Sequence, residues 1–96
     1  SAVDVLGCTL GDFRDWIALQ FTGDMSWSNR KSFHLDHKVP LALAVSKEEV
    51  MKLNHFTNIQ PLSPSENISK GAKMLKEHEP LAERLLGRIP SSSHTH

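Results

Sequence analysis

The chain has 96 residues, enough for one domain with a modest core and too few for two full domains. Eleven Lys and Arg residues balance eleven Asp and Glu residues, so net charge alone gives no reason to expect a nucleic-acid or membrane partner. Cys8 is the only cysteine, which excludes an intrachain disulfide and a cysteine-bound structural zinc.

Signals for a membrane are also missing from the sequence. It has no run of about 18 apolar residues, and its start lacks the basic and apolar segments of a signal peptide. A single cysteine fits a reducing compartment. We therefore expect an intracellular protein without a membrane partner, either complete in itself or one domain of a longer protein.

The first predicted element is an amphipathic helix. Thr9 and Asp12 have the spacing of a helix start, and Gly23 ends the pattern. Between them, large apolar side chains recur at helical spacing: Phe13, Trp16, Ile17 and Phe21. Helical periodicity explains this stripe as core, which we favour over a base-stacking surface.

Two short strands with a helix between them are predicted next. The segment FHLDHKVPL alternates apolar and polar residues, which places His37 on the apolar side and Asp36 on the polar side. Ser46 and Glu49 form a capping box that opens a short helix ending near Asn54. Residues 56 to 62 predict a second strand, closed by Pro61 and antiparallel to the first.

Helices are predicted for the rest of the chain. Ser63, Pro64 and Glu66 are typical of a helix start, and the helix is expected to run to about His78. Its buried side should carry Ile68, Ala72 and Leu75, with Asn67, Lys70 and Met74 together on another face. A last helix should begin at Pro80 and end at Gly87. The expectation is a single α+β domain over residues 1–90 and a disordered tail over 91–96.

Asp36, His37 and Asn67 carry the chemistry that this order of elements would bring together. A strand carboxylate and a helix amide oxygen suit one Mg²⁺ or Mn²⁺ ion, with water and phosphate completing its shell. A neutral histidine can accept a proton from water near neutral pH. Because neighbouring strand residues point to opposite faces, we expect the backbone to leave regular β geometry at His37 and Lys38.

Three segments resemble the HNH endonuclease family, in the variants that have a leading helix and no cysteine-bound zinc. They are LGCTLGDFRDWIALQFTGDMSW, FHLDHKVPL and HFTNIQPLSPSENISKGAK, and together they cover roughly residues 6 to 73. The combination is specific, whereas each motif alone is weak. The resemblance implies a ββα-metal core: a two-stranded antiparallel hairpin, with a leading amphipathic helix and C-terminal helices around it.

Each motif residue takes a role from this resemblance. His37 corresponds to the general base that activates water, and Asp36 and Asn67 correspond to the ligands of one divalent cation. Asn58 corresponds to the asparagine that supports the loop between the strands. Lys70 corresponds to a basic residue placed against phosphate. The third motif letter is asparagine here, so the pattern is H-N-N.

The expected activity is metal-dependent hydrolysis of DNA, in a compartment with access to DNA. Little sequence preference is expected of the isolated domain. Nicking should precede double-strand breakage, unless two copies associate as a homodimer. Phosphate contacts are expected from a local basic face: Arg30, Lys31, Lys38 and Lys73. His34 lies on the same strand face as Asp36 and is a further candidate ligand, with a structural or surface role as the alternative.

Two other functions stay open from the sequence. The first is a catalytically silent nucleic-acid-binding or interaction module of the same fold. The presence of the base, both ligands and the lysine argues against it. The second is a purely helical interaction domain, in which Asp36 and His37 would be an ordinary surface pair.

Overall fold

A computed structural model describes residues 2–91 as an α+β fold. The fold contains one two-stranded antiparallel sheet, which is surrounded by helices. The strands are β1 (His34–His37) and β2 (Ile59–Leu62). The α-helices are α1 (Ala2–Leu6), α2 (Leu10–Ala18), α3 (Lys47–Leu53), α4 (Pro64–Lys70) and α5 (Glu79–Leu86). Single 3₁₀ turns lie at Arg30–Ser32, Leu41–Leu43, Phe56–Asn58 and Lys76–His78. The predicted tail, apart from Ser91, lies outside the described residues.

The predicted antiparallel pairing, with α3 between the strands, is confirmed. The register places His37 opposite Ile59 and Asp36 opposite Gln60. Pro61 was expected to close β2, but it lies inside the strand, opposite Leu35. Each strand of a two-stranded sheet is an edge strand, so a proline is tolerated where its missing N–H faces away from the partner. β1 stays paired through His37, and the predicted departure from strand geometry begins one residue later, at Lys38.

Local capping explains where α2 and α3 begin. The Oγ1 of Thr9 accepts a hydrogen bond from the Asp12 N–H at 3.0 Å, and the Oγ of Ser46 accepts one from the Glu49 N–H at 3.1 Å. Both helix starts were predicted. The Glu49 carboxylate accepts from the N–H of Val45 at 3.0 Å, one residue before the cap. α2 ends at Ala18, several residues before the predicted end.

The helix after β2 begins as predicted but is much shorter. A capping box joins Ser63 and Glu66 in both directions, at 2.9 and 3.2 Å. Gly71 then adopts φ +56° and ends α4 at Lys70, so the predicted helix to His78 is wrong.

The predicted buried face of this helix is also wrong. Ile68 is 81% exposed, and Ala72 and Leu75 are exposed beyond the helix end. Lys70 instead faces the sheet and is buried. Met74 is buried as well, but it lies in the connection after α4.

Two apolar clusters stabilise the fold. One contains Val39, Leu53, Met74 and Ala82, and α5 packs against it. The other contains Ile17, Phe33 and Ile59 with the aromatic side chains of α2 and the following loop. The prediction that the aromatic stripe of α2 is core is therefore confirmed. No helix within residues 2–91 is long and apolar enough to span a membrane.

Candidate functional site

Asp36 and Lys70 form a buried ion pair between β1 and α4. The Lys70 ammonium lies 3.4 Å from Oδ1 and 3.3 Å from Oδ2 of Asp36, and the two side chains are 5% and 9% exposed. Lys70 also donates to the main-chain oxygen of His37 at 3.1 Å. Gln60, opposite Asp36 in the sheet, donates to Oδ2 at 3.0 Å. In this arrangement the Lys70 ammonium neutralises the Asp36 carboxylate.

His37 has different neighbours from Asp36. Its Nε2 lies 2.7 Å from Oδ1 of Asn54, the residue that ends α3. Because an amide oxygen only accepts, Nε2 carries the proton and Nδ1 is the ring nitrogen that can accept one. The half-buried ring lines a largely apolar groove of about 330 Å³ with Leu35, Phe13 and residues of α1. Successive strand residues point to opposite faces, which accounts for the two environments.

Asn58 ties the segment after β1 to the segments around α3. Its Oδ1 accepts from the Val39 N–H at 2.9 Å, and its Nδ2 donates to the oxygens of Val39 and Leu53 at 3.1 and 2.8 Å. The side chain is fully buried. The main-chain oxygen of Asn58 also accepts from the Lys38 N–H at 2.8 Å. These bonds position the backbone immediately after His37.

The two other candidate ligands differ in burial. Asn67 is half-buried and lies one turn before Lys70 on α4, on the same helix face. That face packs toward both strands, so Asn67 and Asp36 belong to the same side of the sheet. His34 is exposed at the start of β1, opposite Leu62.

A groove of about 620 Å³ runs beside the ion pair along α4. The residues that line it include Gln60, Ser69, Lys70, Lys73 and His78. The His78 Nδ1 is buried and has no hydrogen-bond partner within the described residues. Burial lowers the pKa of His78, and the nearby lysines lower it further, against the opposing effect of Glu77. His78 is therefore expected to be neutral at pH 7.

Two of the predicted phosphate contacts lie at or near this groove, Lys38 and Lys73. The Lys38 ammonium lies 5.8 Å from the centre of a Trp16 ring. Burial lowers the pKa of Lys38, while Glu77 acts in the opposite direction. Lys73 is exposed on the groove wall.

Arg30 belongs to an aromatic cluster of its own. Its guanidinium lies 5.5 Å from the Trp27 ring and 5.4 Å from the Phe33 ring, and Arg14 lies over the same Trp27 ring at 5.1 Å. Lys31 is exposed beside it. Three cationic side chains therefore lie at or beside the Trp27 cluster: Arg14, Arg30 and Lys31.

The donor types of Asp36 and Asn67 fit a hard divalent cation. Within residues 2–91, no three His, Cys, Asp or Glu side chains lie close enough to share a metal ion. A cation at this place would therefore depend on one carboxylate and one amide, with water and substrate as further ligands. The Asp36 carboxylate already accepts from Lys70 and Gln60.

Sequence reasoning missed three residues of this site. Gln60 follows from the strand register, because it lies opposite Asp36. The contact of Asn54 with His37 depends on how α3 packs beside β1, and no local sequence signal predicts it. His78 was assigned to a long helix, and the early end of α4 is what brings it to the groove.

Comparison with known proteins gives one similarity. The chain is 33% identical over 93 residues to an uncharacterized protein of Acanthamoeba polyphaga mimivirus. The match covers 90% of this chain and 41% of the viral protein, so the chain spans about two fifths of that relative's length. No protein-family profile and no solved structure matches the chain. Function must therefore be argued from the site.

Proposed function

We propose that this chain is a divalent-cation-dependent DNA endonuclease with the ββα-metal core of the HNH family. The observation that carries the proposal is the packing of α4 against both strands, with Asn67 on the helix face that Lys70 turns toward Asp36 of β1. The order of β1, β2 and α4, with Asn58 supporting the segment after β1, fits that core. Asp36, Asn67 and His37 then have the chemical types that phosphodiester hydrolysis requires.

In the proposed reaction, His37 accepts the proton of the attacking water. Asn54 holds the imidazole through Nε2, so the proton is taken at Nδ1. Asn58 fixes the turn that follows His37 and thereby limits movement of the base. Asp36 and Asn67 would hold Mg²⁺ or Mn²⁺, which when bound supplies positive charge to the phosphoryl oxygens and the leaving 3′ oxygen.

DNA would be held mainly through its phosphates. Lys38 and Lys73 lie at or near the α4 groove, and Arg30 and Lys31 lie at the Trp27 cluster. Such contacts are sensitive to salt and read little sequence. A single site of this kind cuts one strand, so nicking should precede double-strand breaks.

Nicking of supercoiled plasmid tests the proposal directly. The wild type should nick in Mg²⁺ or Mn²⁺ and be inactive in EDTA. His37→Ala should lower the nicking rate at least about a hundredfold, the usual contribution of a general base. Glu83→Ala is the control, because this exposed side chain lies on α5 and lines neither groove, and it should retain most activity. Equal activity of the wild type and His37→Ala would refute the proposed base.

A catalytically silent DNA-binding module is the second candidate. It is favoured by one observation: Asp36 is already neutralised by Lys70, so the fold does not need a cation at this carboxylate. Gel-shift titrations on the same plasmid separate the candidates. DNA binding without nicking in either cation would support the binding module.

A further inference from the structure

In the folded chain, the Asp36 carboxylate is paired with the ammonium of Lys70. Both of its oxygens lie within 3.4 Å of the Lys70 ammonium, and both side chains are more than nine-tenths buried. A buried charge without a partner is costly, so each of these groups depends on the other. The ammonium also has a second acceptor in the His37 carbonyl, which holds it against β1.

We propose that Lys70 competes directly with a divalent cation for Asp36, so that cation binding requires displacement of the ammonium. One carboxylate carries a single negative charge, and two cations at its oxygens would repel each other strongly in a buried site. This inference rests on the proposed role of Asp36 as a metal ligand. It does not depend on whether the chain cleaves DNA.

The groove beside α4 offers space for a displaced Lys70 ammonium. Lys70 lines this groove together with Ser69 and Lys73, and its flexible stem begins in the last turn of the helix. Moving there would expose the ammonium to water or to a phosphate of bound DNA. Lys70 thus lowers the intrinsic affinity of the site for a cation, while keeping the fold stable without one.

Removal of the ammonium should therefore strengthen cation binding. Lys70→Met keeps an apolar stem of similar length and leaves Asp36 with Gln60 as its polar neighbour. Lys73→Met is the matched control, because it removes an exposed lysine from the wall of the same groove. The double variant Asp36→Asn with Lys70→Met removes both members of the pair.

Mn²⁺ alone is the probe, with free Mn²⁺ followed by electron paramagnetic resonance and thermal unfolding recorded with Mn²⁺ and with EDTA. Lys70→Met should bind Mn²⁺ at least about tenfold more tightly than the wild type, which corresponds to about 1.4 kcal/mol. Its melting temperature should rise with Mn²⁺ far more than that of the wild type. Lys73→Met should behave like the wild type, and the double variant should lose the gain.

Mn²⁺ binding by Lys70→Met that is equal to or weaker than that of the wild type would refute the proposed competition. A tighter Mn²⁺ binding that persists in the double variant would also refute it. If Lys70→Met is unfolded in EDTA, Mn²⁺ should restore its fold, and failure to do so counts against the inference. Lys70→Gln, which keeps a neutral donor, should show the same direction of change. Tighter Mn²⁺ binding by Lys70→Met in a chain that never nicks DNA would retain this inference and reject the endonuclease.

Discussion

The side chain of Asn58 should be worth a large part of the stability of this fold. It is fully buried and satisfies three backbone groups, the N–H and C=O of Val39 and the C=O of Leu53. Asn58→Ala would leave all three without this partner. A buried polar group that loses its partner costs about 1 to 3 kcal/mol, so we expect a loss of at least about 3 kcal/mol. A chain of this length has a total stability of about 5 to 14 kcal/mol.

Urea unfolding followed by circular dichroism measures this loss. Asn29→Ala is the matched control, because Asn29 is exposed and its amide makes one long hydrogen bond of 3.5 Å to the Asp24 oxygen. The control should change stability by no more than about 0.5 kcal/mol.

The isosteric variant Asn58→Asp changes the hydrogen bonding of this side chain while its volume stays nearly the same. It would place an oxygen against the carbonyl oxygens of Val39 and Leu53, so it should also be strongly destabilised at pH 7. A loss below about 1 kcal/mol for Asn58→Ala at an unchanged m-value would refute the reasoning, because such a small loss means that the backbone groups find other partners.

Two further predictions concern an ion pair and a close contact outside the site. Hydrogen bonding to Arg88 lowers the pKa of Glu49 from 4.5 to about 2. Between these two pH values the unfolded chain binds more protons than the folded chain. The free energy of unfolding therefore falls as the pH drops from 4.5 to about 2. Glu49→Gln should lower stability at pH 7 and flatten the acid-unfolding curve between pH 4.5 and 2, as followed by circular dichroism; an unchanged curve would contradict this. Gly7 has φ +81°, and an added Cβ would lie 2.5 Å from Nε2 of His55. Gly7→Ala should therefore lower the melting temperature more than Gly23→Ala, where φ is +59° and nothing lies within 4 Å; equal losses would mean that His55 moves aside.

Helix starts could be predicted because their signals are local. Thr9, Ser46 and Ser63 each accept a hydrogen bond from the N–H three residues later, so the cap and its partner lie within one turn. The end of α4 was missed for a different reason. Apolar residues continue at helical spacing past Gly71, but this glycine adopts a positive φ and the chain turns away.

For the candidate site as well, local features could be predicted from the sequence and long-range contacts could not. Asp36 and His37 are adjacent in sequence, so their placement on one strand follows from alternation. The partner of each side chain depends on packing: Lys70 reaches Asp36 from 34 residues away, and Asn54 reaches His37 from 17 residues away. The sequence places Lys70 with Asn67 and Met74 on a face other than the predicted buried one, and its burial results from α4 lying directly on the sheet.

The short length of β1 is what makes a shared reaction site feasible. Asp36 faces Gln60 and α4, whereas His37 faces Asn54 and the groove beside α1, so the two groups lie on opposite faces of the strand. Regular pairing ends at His37. The chain bends at Lys38, whose N–H donates a hydrogen bond to the main-chain oxygen of Asn58. A phosphate that contacts both groups must therefore approach around this end of the strand. The proposed reaction then depends on the position of the bend, because a bend one residue later would place the end of the sheet beyond His37 and lengthen the path around it.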